Sequence, residues 1–482
     1  MTVSNSKKIV KASLWITVSF GMGKVAQLIA QAILARLLSP EDFGIWAMVL
    51  VLSNFSLLFR DTTIAQVLVQ RGLDDSKLVN IVYSIGVNVS IILFFIQVLA
   101  GFPLSYFFNK PILCPLTALS AFVFLIGAGA GSHTAILQRK MKFKELAICD
   151  MLANFSRVSS LVISSMLGWG FWSFAIGEIA MALVDSLLKR FFSQYEFKYL
   201  FHLEKSKVNE IKEFIFGVLG SKIAVQLNIT GDNLIVGKLL GTQSLGYYSV
   251  AYQLATTPAF AFSQINNRVI FSAISQTSEG SKEPKIKKVI EYYAITAGLI
   301  YGLAFTLTPE IITLVYGNTW KQSIPICQTI LIYSYMAGFM SILGAYLLSI
   351  NKSLDIARID WFIVPFSLTS YVIGANIAGI QGVAIAVTSV MGFAASTWYL
   401  IAACRSSGAN IKSFLNSAFI PTISIAIVMI TIHIIPGIHN ANIYLKVLIL
   451  LGAYIAMLTL VSKGRLPFSL IKFMFHKSRF NI

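Results

Sequence analysis

Ala35-Arg36-Leu37-Leu38-Ser39-Pro40-Glu41-Asp42-Phe43-Gly44-Ile45-Trp46 closes one long apolar run and opens the next. The same design returns as Gly237-Lys238-Leu239-Leu240-Gly241-Thr242-Gln243-Ser244-Leu245-Gly246-Tyr247-Tyr248. Arg36 aligns with Lys238, an offset of 202 residues. In each copy a base and two leucines end a run, a tight turn follows, and the next run begins on Gly and an aromatic residue. Both copies run in the same direction, so the repeat is parallel, with its axis along a membrane normal. Two halves built this way are expected to rock about a central site, which is alternating access.

The runs themselves require a membrane. A spanning helix needs about 20 mostly apolar residues. Such segments lie near Ser13–Leu38, Phe43–Val69, Val79–Phe108, Ile112–Leu137, Ala147–Leu167, Gly170–Leu188 and Glu213–Leu240. They continue near Leu245–Ile274, Val289–Tyr316, Ser323–Ile350, Ala357–Ile377, Gln381–Cys404, Phe414–Ile435 and Tyr444–Val461. The length rule therefore predicts an all-α integral membrane protein of about fourteen spans. Its expected divisions are spans 1–6 in residues 1–190, a polar linker 191–212, spans 7–12 in 213–404, and two last spans with a basic tail in 405–482. A strand barrel is excluded, because the runs are continuous and far exceed the ~10 residues of a barrel strand.

Charge gives the orientation. The chain is 56% hydrophobic yet carries a formal charge of +18. Most of its 38 Lys and Arg lie at the N-terminus, in every second loop, in the 191–212 linker and in the C-terminal tail. The opposite loops hold little beyond Lys110, Lys321 and Lys446. Both termini are therefore predicted to be cytoplasmic, which demands an even number of spans. Trp46, Trp169, Trp172, Tyr247, Tyr248 and Trp320 fall at the predicted outer ends, as an interfacial belt does.

Several chemistries are excluded. Three lysines before an apolar run imitate a signal peptide, but the run continues for a full spanning length. Cys114, Cys149, Cys327 and Cys404 form no C-x-x-C pair and read as small core residues. Gly21-Met22-Gly23-Lys24-Val25 lacks the spacing of a phosphate-binding loop, and Gly127-Ala128-Gly129-Ala130-Gly131 follows no strand. The five histidines have no partner at metal-ligand spacing. No metal, cofactor, nucleic-acid partner or enzymatic activity is expected, and no outer loop has room for an extramembrane domain.

Charge at membrane depth is the exception. Lys24, Arg60, Asp61, Arg157, Glu178, Lys222, Asp232 and Arg268 all fall inside predicted spans. A charge at the bilayer centre costs roughly 2.5–3.5 kcal/mol on insertion scales, so each must face a cavity or a partner. Arg157 and Glu178 both stand roughly 12–17 Å below the Gly168–Gly170 turn, which suits a structural ion pair. Lys24, Arg60, Lys222 and Arg268 occupy spans 1, 2, 7 and 8, where Asp61 and Asp232 are the only acids away from the span ends. They suit a cationic cavity for an anionic head group. The alternative pairs Lys24 with Asp61 and lets Arg268 snorkel to the inner surface.

At these residues the chain resembles a known family. The Ala35–Gly44 hairpin is similar to the first hairpin of Wzx-type bacterial polysaccharide flippases, of the multidrug/oligosaccharidyl-lipid/polysaccharide exporter superfamily. Asp232–Gly241 with Leu245–Ser249 resembles their seventh and eighth helices. Thr308-Pro309-Glu310 with Tyr316-Gly317-Asn318-Thr319-Trp320 resembles the end of their ninth. Leu137–Phe143 looks like the inner loop of the colanic-acid and teichuronic-acid exporters.

The resemblance covers about Ala12 to Arg405. It implies a V-shaped pair of six-helix lobes with two further helices, around a cationic lumen. The implied cargo is a polyprenyl-diphosphate-linked oligosaccharide, flipped from the cytoplasmic to the outer leaflet of the bacterial inner membrane. A polysaccharide polymerase and export machinery are the implied partners. Related lipid II flippases carry arginines on helices 1, 2 and 8, where Lys24, Arg60 and Arg268 stand here. Asp61, Glu178 and Asp232 are the candidates for ion coupling. Lipid II flipping, multidrug antiport and a membrane glycan polymerase or ligase are the competing readings.

Overall fold

The computed structural model describes residues 21–71, 76–201, 205–275, 279–407, 410–435 and 442–462. Among them the chain is almost entirely helical, without strands. By packing it forms two compact units, Met1–Ser249 and Val250–Ile482.

The first unit begins with α1 (residues 21–37) and α2 (Pro40–Arg71). Ser39 and Asp42 start α2 with a reciprocal capping box. The Asp42 N–H donates to Ser39 Oγ (3.2 Å), and the Ser39 N–H donates to Asp42 Oδ2 (2.9 Å). Pro40 fills the first helical position, where its missing N–H costs nothing. Next come α3 (Ser76–Phe108), α4 (Leu113–Ile126) and α5 (Ala130–Arg139). The last two are long and apolar enough to cross a membrane only together, and they are bent by 41° at the break between them. The bend uses Gly129, whose φ of +79° a side chain would resist. It frees carbonyls that need other partners. Ser186 Oγ donates to the Ile126 carbonyl (2.8 Å) and Arg190 Nη2 to that of Ala128 (3.3 Å). Both donors lie on α7 (Trp172–Ser193), which packs against α6 (Phe143–Met166).

Helix α8 (Lys205–Ser275) is continuous in its hydrogen bonding but kinks at Gly241, with φ +86° and ψ 178°. The Tyr248 hydroxyl donates to Asp232 at 2.7 Å, although 16 residues of straight helix would span about 24 Å. The chain therefore reverses at the kink, and α8 is a hairpin of two helices.

The second unit contains α9 (Glu279–Ile311), α10 (Ser323–Ser349), α11 (Ser353–Val387), α12 (Ala395–Ser407), α13 (Ile411–Ile434) and α14 (Ile443–Ser462). Helix α11 also reverses, at Ala378–Gly379, where the backbones of Gly374 and Gly382 touch. Helices α9, α13 and α14 share a core of Ile295, Ile425, Val428, Ile432, Leu450, Tyr454 and Leu458.

The structure does not return fourteen separate spans. Among the described residues eight helices are long and apolar enough to cross a membrane, or nine with the bent α4–α5 pair. One reason is that hairpins turning on a glycine stay continuous: the spans expected at Ala357–Ile377 and Gln381–Cys404 form one helical stretch, Ser353–Ser407.

Candidate functional site

The sequence-predicted charges of the first unit that the structure describes fall into three places. Lys24 is half-buried on α1, and its Nζ donates to Gln27 Oε1 at 3.0 Å. Gly23 beside it faces Asn154 of α6, and the Arg157 charge reaches Lys24. Arg157 Nη2 lies 2.6 Å from Glu178 Oε1, joining α6 to α7. Three sequence-predicted residues thus gather as two bases and one acid. Asp61, the other acid weighed for Lys24, has its side chain outside the described residues, as has Arg268.

Arg60 is half-buried on α2 and points at the broken span. Its guanidinium lies 5.8 Å from the centre of the Phe124 ring. A Cβ added to Gly127 would stand 3.1 Å from Nη1, so the bare glycine makes room for the cation. Lys222 is half-buried on the first limb of α8, ten residues before Asp232. Asp232 is only 1% exposed. Tyr248 OH donates to its Oδ2 and the Asn233 N–H to its Oδ1, each at 2.7 Å. No base within ion-pair distance is found among the described residues, and Asp232 locks the α8 hairpin through a neutral donor.

Where the two copies of the repeat meet, the joint is made of backbone. A Cβ on Gly44 would overlap the Thr242 carbonyl, and one on Gly246 would overlap the Pro40 carbonyl. The contact is reciprocal at the repeat offset. Glu41 clasps it, accepting from Lys110 Nζ and from Thr242 Oγ1, each at 3.0 Å. Lys238 Nζ donates to the Phe107 carbonyl close by.

Other ion pairs escaped sequence reasoning. Lys446, expected in an outer loop, is buried on α14 and pairs with Glu310 of α9. Lys189 bridges Asp185 (2.8 Å) and Asp150 (4.0 Å) across α7 and α6. The available signal was a lone base or acid at the end of an apolar run, but hydropathy does not say which neighbour it meets. Among the described residues no group of His, Cys, Asp and Glu could hold a metal.

Long apolar helices and glycine-hinged hairpins define a multi-pass membrane protein. Solved structures share this fold: the lipid II flippase MurJ in an inward-closed conformation superposes with a TM-score of 0.76 at 15% identity, covering 93% of this chain and 99% of that one. An outward-facing multidrug resistance transporter of the MATE family, MOP superfamily, gives 0.57 at 15% identity, covering 83% and 96%. The chain belongs to the polysaccharide biosynthesis protein family, whose model matches residues 33–325, and is of the Wzx flippase type. It is 22% identical to the lipopolysaccharide biosynthesis protein WzxC of Escherichia coli (strain K12), over 87% of this chain and 86% of that one. It is also 22% identical to the teichuronic acid biosynthesis protein TuaB of Bacillus subtilis (strain 168), over 73% of each.

Proposed function

We propose that the chain flips a polyprenyl-diphosphate-linked oligosaccharide from the cytoplasmic to the outer leaflet of the bacterial inner membrane, for exopolysaccharide, capsule or O-antigen synthesis. The observation that carries this reading is the base held at membrane depth. Lys24 lies near the Arg157–Glu178 pair, and Arg60 rests on a helix break. A diphosphate offsets the cost of keeping such charge from water. Lys24, Arg60, Lys222 and Arg268 are the proposed head-group residues, and both termini are proposed to be cytoplasmic.

Alternating access follows from the repeat. The Gly44–Thr242 and Gly246–Pro40 joint, clasped by Glu41, closes the outer ends and parts to release the cargo. A membrane negative inside favours outward movement of an anion by roughly 2.3 kcal/mol per charge per 100 mV. The diphosphate is thus driven without nucleotide hydrolysis. Multidrug antiport fits less well, because a cationic drug would meet surplus base.

The test deletes the gene and identifies the polyprenyl-linked glycan that accumulates, then restores it with Ala variants at the four bases. Accumulation of cargo on the inner leaflet with abundant but inactive Arg60→Ala protein is expected. Normal surface polysaccharide from all four Ala variants overturns the site.

A further inference from the structure

After α7 the chain does not leave the first unit. Residues 194–201 are neither helix nor strand, and Lys198, Tyr199 and Leu200 are hydrogen-bonded to the first turns of α3. Asn80, Ser84 and Asn88 stand four residues apart on α3 and so share one face. The Lys198 N–H donates to Asn80 Oδ1 (2.9 Å) and the Leu200 N–H to Ser84 Oγ (2.8 Å). The Tyr199 hydroxyl reaches Asn88 Oδ1 (2.7 Å). Ser84 Oγ itself donates back to the Asn80 carbonyl (2.8 Å), so both of its capacities are used.

Three side chains of the strap point inward. Tyr195, Phe197 and Leu200 pack on the core formed by Leu68, Val79, Ile81, Val82 and Ala135. The Phe197 ring stacks on Tyr83 at 4.6 Å and meets His133 edge-on at 4.8 Å. His133 Nδ1 is 2.7 Å from Ser193 Oγ, at the end of α7.

Helix α3 has room for this partner outside the bilayer. Its 33 residues are about 50 Å long, against about 30 Å of hydrocarbon. The polar stripe lies on the Ser76 end, so the excess length projects there. Gln194, Glu196, Lys198, Tyr199 and Phe201 of the strap are exposed, and irregular backbone of this kind is not tolerated facing lipid.

The strap also touches the broken span. Tyr83, under Phe197, lies against Gly129, while Arg60 lies against Gly127. One helix break thus has the strap on one side and a candidate head-group base on the other. Helix resumes at Lys205, so the strap sits on the chain that leads to α8.

We propose that residues 194–201 form a releasable strap: docked on α3, it holds the α4–α5 break in the shape that seats Arg60, and it must leave α3 during each transport cycle. The proposal rests on the flippase reading. Three hydrogen bonds, with three half-buried side chains, suit a contact that opens locally without unfolding the protein.

The test has two arms. In purified full-length protein, hydrogen exchange at the Lys198 and Leu200 amides is measured in the native chain and in the Asn80→Ala/Ser84→Ala variant. At least tenfold faster exchange in the variant is expected, and unchanged exchange overturns the docking. In cells, Asn80→Cys/Lys198→Cys and Asn88→Cys/Tyr199→Cys chains, with the four native cysteines replaced, are treated with a short permeant bis-maleimide. Surface polysaccharide is compared before and after cross-linking. At least a tenfold fall on cross-linking is expected for both pairs. Undiminished export from fully cross-linked chains overturns the release step. A native chain that restores no export to the deletion strain fails the flippase reading instead, and the exchange arm still decides the docking.

Discussion

Glu178 stands between two fates for Arg157. Paired at 2.6 Å, the arginine is neutralised; unpaired, it faces Lys24 as a like charge. Glu178→Ala should therefore destabilise the protein by about 1–3 kcal/mol, between the exposed and the fully buried cases. Replacing both partners, Arg157→Met with Glu178→Leu, should recover most of that loss. Thermal unfolding in detergent measures both. Lys24→Gln should behave in the opposite way: removing a like charge beside Arg157 leaves stability equal or higher, while export falls at least tenfold. Loss of stability in Lys24→Gln would assign the lysine to structure. These partners were partly legible beforehand. Arg157 and Glu178 lie at similar distances from one tight turn, so counting along two helices brings them to the same depth. Glu310 and Lys446 lie on α9 and α14, and no count along the chain relates those helices.

At the scale of elements, the break between α4 and α5 is the feature that hydropathy conceals. Ile112–Leu137 reads as one unbroken apolar run, and its glycines read as close packing. The structure uses them to bend, because Ser186 and Arg190 of the neighbouring helix wait to take the freed carbonyls. Those donors cannot be matched to the break from sequence. Gly129→Ala meets two obstacles, a left-handed φ and the Tyr83 ring. The backbone alone should cost about 1–2 kcal/mol. Near-normal melting with unaltered export from Gly129→Ala would show that the span works straight. The strap was hidden for a related reason. Charged residues around 191–212 read as a solvated linker, and three apolar positions, Tyr195, Phe197 and Leu200, are too few to stand out beside runs of twenty.

At the scale of the whole molecule, orientation is the first thing to check. Cysteines placed at Ser39–Asp42, Trp169 or Asn318–Lys321 should react with impermeant maleimide in intact spheroplasts, and those in the linker should not. The reverse pattern would invert the proposed direction of transport. The second check is the repeat joint. Gly44→Ala alone should force the hairpins apart at both contact points, since they share one rigid crossing. Gly246→Ala should then add little, and the two changes should be far from additive in thermal unfolding and in export. Full additivity would mean that the two contacts are independent. The reciprocity of that joint has a consequence for any piece of the chain. Gly44 meets the partner of Pro40, and the partner of Gly44 meets Pro40, which is the rule of an isologous two-fold interface. The first hairpin therefore carries an edge that matches its own copy, and a fragment ending before α8 is expected to pair with itself, as two separate subunits would.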